Sequence, residues 1–476
     1  MGDLESEILE DHVGVGFKMG DFHGLKLCGK KVLVVGLGIT GVTTARWLAQ
    51  HGARVTVSEM RSEAELDPAT CKVVWDLGIE LETGGHRKET FLDAELIVLS
   101  PGVPHDMELL RAVREINVPV TGELELASRL IDTPMIAVTG TNGKSTVTAF
   151  LGYLLENANL KAFVGGNIGT PLMDYAAGSE KADYVVIEVS SFQLDTIETF
   201  CPFVSMILNV SPDHLDRYPS YEDYVRSKLR VFMNQRTGQY VILNDDDKRL
   251  SIVNPESGVS VLRFGIEKKE GRHAFIENGK IRTNLFGEDV NTFSFESFKL
   301  TGRHNLENLL AMVLSGLTLG IDPQVIRKTI AELKGLPHRL EWVAELAGVV
   351  FYNDSKATNI DAALKAIKSF DRPLILIAGG RHKGSDYTPL VKASTGVVKG
   401  AVFLGEAREL LAESFEGYVP FSMAENMDEA VSMAYSGAVS GDVVLLAPAC
   451  SSFDMFSDYS QRGREFKAAV ERLVRG

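Results

Sequence analysis

Cysteine is scarce in this chain, and the spacing of the few cysteines excludes two kinds of site. Only Cys28, Cys71, Cys201 and Cys450 occur, and no two of them form a CxxC pair. We therefore expect neither a zinc site built on paired cysteines nor a disulfide framework. Reduced thiols are the default, so the sequence favours a cytoplasmic location.

Positive charge is also limited. The chain has 49 Lys and Arg residues against 64 Asp and Glu residues, and its formal net charge is −15. Nucleic acids and anionic membranes attract basic surfaces, so we expect neither as the main partner. A small anion can still bind to a local cluster of positive groups.

Long apolar segments are missing too. No apolar run in the sequence is long enough to cross a bilayer. Residues 1–26 begin with acids such as Asp3 and Glu5 and lack a basic start followed by an apolar core, so we expect no export signal. We interpret this stretch as an N-terminal extension.

From Lys31 onwards the chain alternates apolar, β-branched runs with helix-like segments. This alternation is typical of parallel sheets covered by helices. A chain of 476 residues exceeds what one hydrophobic core usually serves. We predict an α/β protein of three Rossmann-like or doubly wound modules with mostly parallel sheets, at residues 27–122, 123–335 and 336–476.

A glycine-rich turn in the second module is the most informative stretch. The apolar run Met135–Val138 precedes Gly-Thr-Asn-Gly-Lys-Ser-Thr, and a helix-like segment continues through Leu155. Such a turn binds nucleotide phosphates, because its backbone N–H groups and the positive end of the helix face the anion. We predict a P-loop-type ATPase module, with antiparallel hairpins added between Ser257 and Phe298. The predicted phosphate site consists of Gly140, Thr141, Asn142, Gly143, Lys144, Ser145 and Thr146.

Two side-chain roles follow from this turn. Lys144 would reach the β- and γ-phosphates, and Ser145 or Thr146 would ligate Mg²⁺. The standard loop has a further glycine where Val138 stands, so this loop is a shortened relative. An ordinary strand-to-helix turn with a chance lysine is the alternative interpretation.

A second glycine-rich turn lies in the first module. Val32–Val35 precedes the GxGxxG pattern of residues 36–41, and Glu59 ends the next apolar run. This arrangement matches a dinucleotide-binding fingerprint in which the acid binds a ribose hydroxyl. Any nucleotide diphosphate can use such a turn, so an NAD(P)-dependent enzyme and other nucleotide-binding proteins both remain open.

Carboxylate and imidazole groups follow two other apolar runs of the central module. Glu188 ends the run Tyr184–Ile187, where nucleotide-binding sheets place an acid that organises Mg²⁺. His214 lies in a polar cluster after Met206–Asn209 and could ligate or polarise a phosphate oxygen. A turn or capping role is the alternative for His214.

Lys228 lies on the inward face of a predicted helix. Ser220 and Asp223 form an S-x-x-D start. Lys228 follows Tyr224 by four residues and Tyr221 by seven, so it shares their apolar stripe. A lysine there reaches a phosphate, is paired, loses its charge by modification, or extends its ammonium group to solvent.

The third module carries basic and hydroxyl residues after several predicted strands. Clusters occur at Asn353–Asn359, Gly379–Lys383 and Pro448–Phe453, and His338–Arg339 precede the first strand. Together they predict a pocket for an anionic substrate that carries a carboxylate. Trp342, like Trp47 in the first module, is expected to be a core or packing residue.

These motifs, in this order, resemble the Mur ligases of bacterial cell-wall synthesis. The similarity covers about Leu27 to Arg475. The set is similar to the branch that adds D-glutamate to UDP-N-acetylmuramoyl-L-alanine, so the resemblance implies these substrates and a monomeric, cytoplasmic enzyme. The most specific segments are residues 140–146, 165–169, 188–194, 213–218, 302–305 and 354–359.

The resemblance also implies a mechanism. In the family, ATP phosphorylates a carboxylate of the precursor, the amine of the amino acid attacks the acyl phosphate, and collapse of the tetrahedral intermediate gives an amide, phosphate and ADP. We therefore expect an ADP-forming amide ligase, in which Lys144 neutralises the transferring phosphoryl group. One Mg²⁺ is expected at Ser145 and Glu188, and a second at His214 and Lys228. Lys228 would be a carbamate, because an ammonium group cannot ligate Mg²⁺.

Three sets of binding residues follow from the same resemblance. Those for the uridine nucleotide substrate are Gly38, Ile39, Thr40, Glu59, Arg61, Ser100, Gly102, Asn167, Ser190 and Gln193. Those for ATP, beyond the phosphate loop, are Asn305, Arg339 and Asp354. Those for D-glutamate are His338, Lys356, Thr358, Lys383, Ser452 and Tyr459. The family often has Phe where Tyr459 stands and an acid where His382 stands.

Two alternative functions differ from this expectation. Another Mur-type or folylpolyglutamate-type amide ligase would differ in the third module, and a panel of amino acids separates it. A nucleotide-sugar oxidoreductase would use the turn at residues 36–41, and a test for NAD(P) binding separates that alternative.

Overall fold

The computed structural model describes residues 27–105, 107–167, 169–215, 217–255, 258–285, 291–296, 298, 302–333, 335, 337–384 and 386–475. Within these ranges the chain divides into two compact units. The first holds residues 27–132 and 171–178, and the second holds residues 133–170 and 179–475. The predicted N-terminal extension at residues 1–26 lies outside the described residues.

The first unit is built on a parallel sheet. Its strands are β1 (Lys31–Val35), β2 (Arg54–Ser58), β3 (Glu80–Glu82), β4 (Leu96–Leu99) and β5 (Val120–Gly122). Its helices are α1 (Ile39–Gln50), α2 (Pro68–Asp76), α3 (Lys88–Asp93), α4 (Glu108–Glu115), α5 (Glu123–Ser128) and α7 (Leu172–Ala177), with a short 3-10 helix at Glu63–Glu65. The strand order is β3-β2-β1-β4-β5. The central strands β1, after the exposed Lys31, and β4 are apolar because both faces of the sheet are covered.

The second unit contains two sheets, and the larger one comes first in the chain. Its strands are β6 (Met135–Thr139), β7 (Ala162–Gly166), β8 (Tyr184–Glu188), β9 (Val204–Ile207), β10 (Tyr240–Asn244), β11 (Ser260–Phe264), β12 (Ala274–Glu277), β13 (Lys280–Thr283) and β14 (Asn291–Ser294). The accompanying helices are α6 (Lys144–Asn157), α8 (Ser191–Leu194), α9 (Tyr221–Leu229), α10 (Arg303–Thr318) and α11 (Pro323–Glu332), with a 3-10 turn at Arg230–Phe232. The strand order is β14-β13-β12-β11-β10-β9-β6-β8-β7.

The predicted hairpin region is confirmed for three of its four strands. β12, β13 and β14 pair antiparallel, as expected. β11 instead pairs parallel to β10. The connection at residues 245–259 is long enough for the crossover that a parallel pair requires, whereas a hairpin would need only a short turn.

The smaller sheet of the second unit belongs to the C-terminal part of the chain. Its strands are β15 (Glu341–Leu346), β16 (Val349–Asn353), β17 (Leu374–Gly379), β18 (Val398–Leu404), β19 (Phe421–Ala424) and β20 (Val443–Leu446). Its helices are α12 (Ile360–Ile367), α13 (Thr388–Ser394), α14 (Arg408–Phe415), α15 (Met427–Ser436) and α16 (Tyr459–Arg475). The strand order is β15-β16-β20-β17-β18-β19, and only the β15–β16 pair is antiparallel. The expectation of an α/β protein with mostly parallel sheets is confirmed.

Of the two tryptophans expected to be core or packing residues, Trp47 is buried in α1. Trp342 is not in the core, because it lies on β15 with 58% of its surface exposed. β15 is an edge strand of the sheet, so a side chain on its outer face has no neighbouring element to cover it.

Parallel pairing brings the loops that matter for function to one edge of each sheet. β6 pairs with both β8 and β9, so the turn after β6 lies between Glu188 and Asn209. In the smaller sheet, β20 pairs with β16 and β17, so the segments that follow these three strands are neighbours. Across the described part of the chain, no helix combines the length and hydrophobicity needed to cross a bilayer.

Candidate active site

The glycine-rich turn after β6 has the backbone that a phosphate site needs. Gly140 and Gly143 adopt φ angles of 145° and 89°, which side chains other than glycine rarely tolerate. A methyl group at Gly143 would also collide with Oδ1 of Asn308. Helix α6 begins directly after this glycine, so its unpaired N–H groups face the turn.

Asn209, which sequence reasoning did not single out, clamps the same turn. Its Oδ1 accepts a hydrogen bond from Asn142 N at 2.9 Å, and its Nδ2 donates to Asn142 O at 3.0 Å. Its backbone oxygen accepts from Thr141 N at 2.9 Å. The turn is therefore held in shape by the segment that follows β9.

Lys144 folds back over the turn. Its Nζ donates to Gly140 O and Thr141 O, both at 3.0 Å. Burial lowers the pKa of Lys144, and the neighbouring carboxylates of Glu188 and Asp213 oppose that shift. Backbone carbonyls are weak partners for an ammonium group, so an incoming phosphate would compete for Lys144 effectively.

Glu188 and Ser145 lie together, as the sequence predicted. Ser145 Oγ donates to Glu188 Oε2 at 2.6 Å, and Asn167 Nδ2 donates to Glu188 Oε1 at 3.0 Å. Burial alone would raise the pKa of Glu188, but the charges of Lys144 and Lys356 and these two hydrogen bonds lower it. The buried carboxylate is thus held ionised next to the phosphate turn.

His214 lies after β9 in a left-handed backbone conformation, with a φ angle of 54°. Its ring contacts the ring of Phe192 edge to face, with 4.9 Å between the centroids. Burial lowers the pKa of His214 to about 4, and the opposing charge of Asp213 does not compensate. The imidazole is therefore neutral near pH 7 and has a lone pair available for a cation.

Lys228 occupies the inward face of α9, as the helical spacing predicted. It is almost completely buried, and its Nζ donates to Gly140 O at 2.9 Å and lies 4.6 Å from the centroid of the Tyr224 ring. Burial and then the charge of Lys144 hold the pKa of Lys228 well below its usual value. Burial therefore favours the uncharged, nucleophilic form of this amine more than it would for an exposed lysine.

The chemistry of these groups fits magnesium. Mg²⁺ is usually held by one or two carboxylates, with water and phosphate oxygens completing its shell. Glu188 and the Ser145 hydroxyl supply such oxygens beside the phosphate turn. Among the described residues, no group of three or more His, Cys, Asp and Glu side chains is arranged to hold a metal. A cation here would therefore depend on phosphate oxygens as well as protein ligands.

A pocket adjoins the phosphate turn and joins the two sheets of the second unit. Six of the residues predicted to bind ATP line it, together with His304, Asn308 and Lys365, which were not predicted. Its walls come from the phosphate turn, from α10 and from the α12 segment. The six predicted residues are Asn142, Gly143, Thr146, Asn305, Arg339 and Asp354.

Charged groups at the floor of this pocket have strongly shifted pKa values. Burial raises the pKa of Asp354 to about 7, although the nearby Arg339 opposes the shift. Burial, reinforced by the charge of Arg339, lowers the pKa of Lys356 to about 7. Among the described residues that line the pocket, the basic side chains of Arg339, Lys356 and Lys365 outnumber the one carboxylate, Asp354, so the pocket is suited to an anionic ligand.

The residues predicted to bind D-glutamate gather after β16, β17 and β20. Lys356 Nζ lies 3.7 Å from the centroid of the Tyr459 ring, and the Tyr459 and His338 rings are 6.3 Å apart. Lys383 Nζ lies 4.0 Å from Asp213 Oδ1. Ser452 is buried and Thr358 half-buried.

Arg462 organises this region and was missed by sequence reasoning. Its guanidinium is 1% exposed and donates to the backbone oxygens of Ser355, Gly379, Cys450 and Ser451, and to Ser355 Oγ. One side chain therefore ties together the segments after β16, β17 and β20. Arg462 lies on the apolar face of the amphipathic helix α16. An arginine on that face is the feature of the sequence that could have indicated its role.

In the first unit, the second glycine-rich turn is closed by Glu59. Its Oε2 accepts from Leu37 N at 2.8 Å, and its Oε1 accepts from Arg61 Nε at 3.0 Å. Burial opposes the charge, but the hydrogen bonds from Arg61 and Leu37 lower the pKa of Glu59 to about 2. Ser100 Oγ donates to Gly36 O at 3.0 Å and braces the turn from β4.

The other residues predicted for the uridine nucleotide differ in accessibility. Ile39 is 73% exposed at the start of α1, Gly38 and Gly102 are exposed and Thr40 is half-buried. In the second unit, Ser190 and Gln193 form a capping box at the start of α8. Their binding roles stay predictions.

Comparison with known proteins covers nearly the whole chain. Residues 30–122 match the family model described as "Mur ligase MurD-like, N-terminal domain". Residues 138–316 match the "Mur ligase middle domain", and residues 338–450 match the "Mur ligase, glutamate ligase domain".

Curated relatives are similar over the same span. The UDP-N-acetylmuramoylalanine--D-glutamate ligase of Geotalea daltonii is 42% identical over 452 residues, which is 95% of this chain and 99% of the relative. The enzyme of the same name from Desulfatibacillum aliphaticivorans is 43% identical over 451 residues, covering 94% and 100%.

Solved structures share the fold at lower identity. A pseudomurein peptide ligase type C from Methanothermus fervidus has a TM-score of 0.59 at 18% identity, covering 94% of this chain and 100% of that one. The MurF ligase of Thermotoga maritima in complex with ADP has a TM-score of 0.57 at 17% identity, covering 98% and 100%.

Proposed function

The chain belongs to the Mur ligase family, and we propose that it is an ATP-dependent ligase joining D-glutamate to the L-alanine carboxylate of UDP-N-acetylmuramoyl-L-alanine. The reaction forms an amide and releases ADP and phosphate. It is a step in the synthesis of peptidoglycan precursors, which we assign to the cytoplasm.

One observation carries the substrate assignment. Relatives that are 42% identical over 95% of the chain and 99% of their own length are named for this reaction. The match includes residues 338–450, which correspond to the glutamate ligase domain of the family. We assign the uridine nucleotide to residues 27–122, ATP to 123–335 and the incoming amino acid to 336–476.

The phosphate turn supports the ATP assignment. The N–H groups at the start of α6 and Lys144 would hold the β- and γ-phosphates, because the ammonium group of Lys144 donates to two backbone carbonyls that a phosphate would displace. Arg339 would neutralise further negative charge, and Asp354 would accept hydrogen bonds from the ribose.

Glu188 and Ser145 would hold one Mg²⁺, and His214 with a carbamate on Lys228 would hold a second. When bound, these ions supply positive charge that stabilises the transferring phosphoryl group. Lys228 suits carbamate formation because burial disfavours its ammonium form, and a carbamate would remove the cost of burying that positive charge.

The amino-acid pocket would combine positive charge with exclusion of water. Lys356 and Lys383 would attract the carboxylates of D-glutamate, and Ser452 and Thr358 would donate hydrogen bonds. The aromatic ring of Tyr459 would keep Lys356 in place. An acyl phosphate hydrolyses in water, so a packed pocket protects it.

The test is phosphate release from ATP with the muramoyl precursor and a panel of amino acids. We expect release only when UDP-N-acetylmuramoyl-L-alanine and D-glutamate are both present. Release that requires L-alanine, a diamino acid or a glutamyl folate would identify a sister ligase instead. Release that requires no amino acid acceptor would overturn the ligase assignment.

A further inference from the structure

The backbone of His338 is held in one conformation. Its φ angle is 64°, in the left-handed region. Its N–H donates to Glu341 Oε2 at 2.9 Å, and its carbonyl accepts from Lys356 N at 3.1 Å. A methyl group at Gly463 would collide with the imidazole, so the ring lies directly against the start of α16. The position of the ring is therefore fixed before any substrate arrives.

Asn353, at the end of β16, contacts the ring of His338. Asn353 is fully buried, and its Nδ2 lies 2.9 Å from His338 Nδ1. The same Nδ2 donates to Glu341 Oε2 at 3.1 Å and to Gly463 O at 3.2 Å. Its Oδ1 accepts from Ser355 N at 3.1 Å.

These contacts fix which way the Asn353 amide points. If the amide were turned over, its NH₂ group would face the N–H of Ser355, and its oxygen would face the oxygens of Glu341 and Gly463. The turned-over amide would therefore place like groups together at both of its ends and would lose three hydrogen bonds. The atom next to His338 is therefore the amide nitrogen.

An amide nitrogen can donate a hydrogen bond but cannot accept one. The NH₂ group of Asn353 has two protons for three neighbouring acceptors, so one proton is shared between two of them. Glu341 Oε2 lies 3.7 Å from His338 Nδ1, too far to accept a hydrogen bond from that nitrogen. His338 Nδ1 is then an acceptor, and the ring proton of neutral His338 is on Nε2. Within the described residues, Nε2 of His338 has no hydrogen-bond partner. The free end of the ring is thus a donor.

We propose that Asn353 fixes His338 as a neutral imidazole protonated on Nε2, and that this N–H donates to a carboxylate oxygen of the incoming amino acid. The second half rests on the proposed function, because it takes D-glutamate as the substrate near Lys356 and Tyr459. His338 is then a substrate-binding donor and Asn353 a positioning residue. His338 cannot also be the base that takes the proton of the attacking amine, because its only free nitrogen already carries a proton.

The charges around His338 do not favour the protonated ring. Burial lowers the pKa of His338; Glu341 and Asp458 oppose the shift, and Lys467 and Arg464 reinforce it. A proton on Nδ1 would also face the NH₂ group of Asn353 and lose that hydrogen bond. The ring therefore stays neutral across the pH range in which the enzyme would be assayed.

The first test reads the tautomer directly and needs no substrate. Two-bond ¹⁵N–¹H spectra of the full chain labelled at histidine distinguish the two neutral forms and the cation, and His338→Gln assigns the signal. We expect the Nε2-protonated form from pH 6.5 to pH 8.5. A signal from the Nδ1-protonated form or from imidazolium would overturn the proposal. Asn353→Asp should move the proton to Nδ1, because a carboxylate accepts where the amide donated; an unchanged tautomer in this variant would contradict the role of Asn353.

The second test separates a donor from a base. A glutamine amide is a neutral donor that cannot act as a base, so His338→Gln should lose less of kcat than His338→Ala. His338→Ala should raise the KM for D-glutamate roughly 10- to 100-fold, the loss of one hydrogen bond to a charged group. Equal loss of kcat in both variants would overturn the donor role. If D-glutamate stimulates neither the wild-type enzyme nor its variants, but the spectra show the Nε2-protonated form, the proposed function is wrong and the tautomer assignment stands.

Discussion

Asn142 in the phosphate turn donates a hydrogen bond from Nδ2 to Oδ2 of Asp361 at 2.6 Å, across 219 residues of sequence. Asp361 lies in the first turn of α12, and Lys365 Nζ pairs with the same Oδ2 at 2.9 Å. A second hydrogen bond joins the segment after β16 to the segment after β9, because Asn359 Nδ2 donates to Asp213 Oδ2 at 2.9 Å. The phosphate turn and the C-terminal sheet are therefore in direct contact.

This contact predicts coupling between Asn142 and Asp361 in ATP binding. Asn142→Ala and Asp361→Ala each remove the same hydrogen bond, so both should raise the KM for ATP. The double variant should be no worse than either single one, which corresponds to a coupling of roughly 0.5 to 3 kcal/mol. Steady-state kinetics at saturating precursor measure it. Strictly additive effects of the two alanine changes would disprove the coupling.

Glu188 should matter through its charge rather than its shape. Glu188→Gln keeps an oxygen to accept from Ser145, but it removes the negative charge that would hold Mg²⁺. We expect kcat to fall by about 100-fold or more, the scale seen when one electrostatic contact to a transition state is lost. Phosphate release at increasing Mg²⁺ concentration measures it. Glu180→Gln, an exposed acid in the same unit, should have no effect; a fully active Glu188→Gln enzyme would exclude the metal role.

Lys228 should react with carbon dioxide. Burial holds the pKa of Lys228 well below its usual value and so favours the neutral amine, which is the nucleophile that forms a carbamate. We expect a carbamate carbon signal in the ¹³C spectrum of protein equilibrated with ¹³C-bicarbonate near pH 8. The signal should be absent in Lys228→Met and present in Lys144→Met. Its absence from the wild-type protein would leave Lys228 as a simple lysine bonded to Gly140.

The sequence predicted the parts of this site that depend on local pattern. The phosphate turn, the acid at the end of β8 and the inward lysine on α9 each follow from a strand end or from helical spacing. Asn209, Asn353 and Arg462 could not be predicted in this way. Their roles depend on backbone groups that are distant in sequence and are brought near only by the strand order. The exposure of Trp342 could not be predicted either, because the sequence around an apolar residue does not show that its strand will lie at the edge of a sheet.

Glu123 predicts a pH-dependent stability of the first unit. Its buried carboxylate accepts from Met173 N at 2.6 Å, and burial raises its pKa from 4.5 to about 7. The folded state therefore binds the proton more tightly than the unfolded state. This stabilisation is present below pH 4.5 and is lost as the pH rises through 7, a change of roughly 3 kcal/mol.

A matched variant isolates this effect. Glu123→Gln keeps the acceptor oxygen but cannot ionise, so it should increase the hydrogen-exchange protection of residues 171–178 at pH 8 and not at pH 5. Glu115→Gln, an exposed acid in the same unit, is the control and should change neither. Equal protection of wild type and Glu123→Gln at pH 8 would show that Glu123 is not the titrating group.

Arg462 should be required for the structure of the amino-acid pocket. Arg462→Met fills similar space but removes the hydrogen bonds to the buried carbonyls of Gly379 and Cys450, whereas Ser451 O keeps the one from Arg381 N. Each buried unsatisfied group costs about 1 to 3 kcal/mol, so the loss should reach several kcal/mol. Arg462→Lys keeps the charge but not the planar set of five donors, so it should restore only part of the stability.

Limited proteolysis of the full chain measures the effect, with cleavage expected first in the segments after β17 and β20. The ranking should be wild type, then Arg462→Lys, then Arg462→Met. Arg472 provides the matched control, because it lies on the same helix and pairs with Asp428 at the exposed surface. If Arg472→Met and Arg462→Met were equally resistant to protease, the buried guanidinium would not be what holds the three strand ends together.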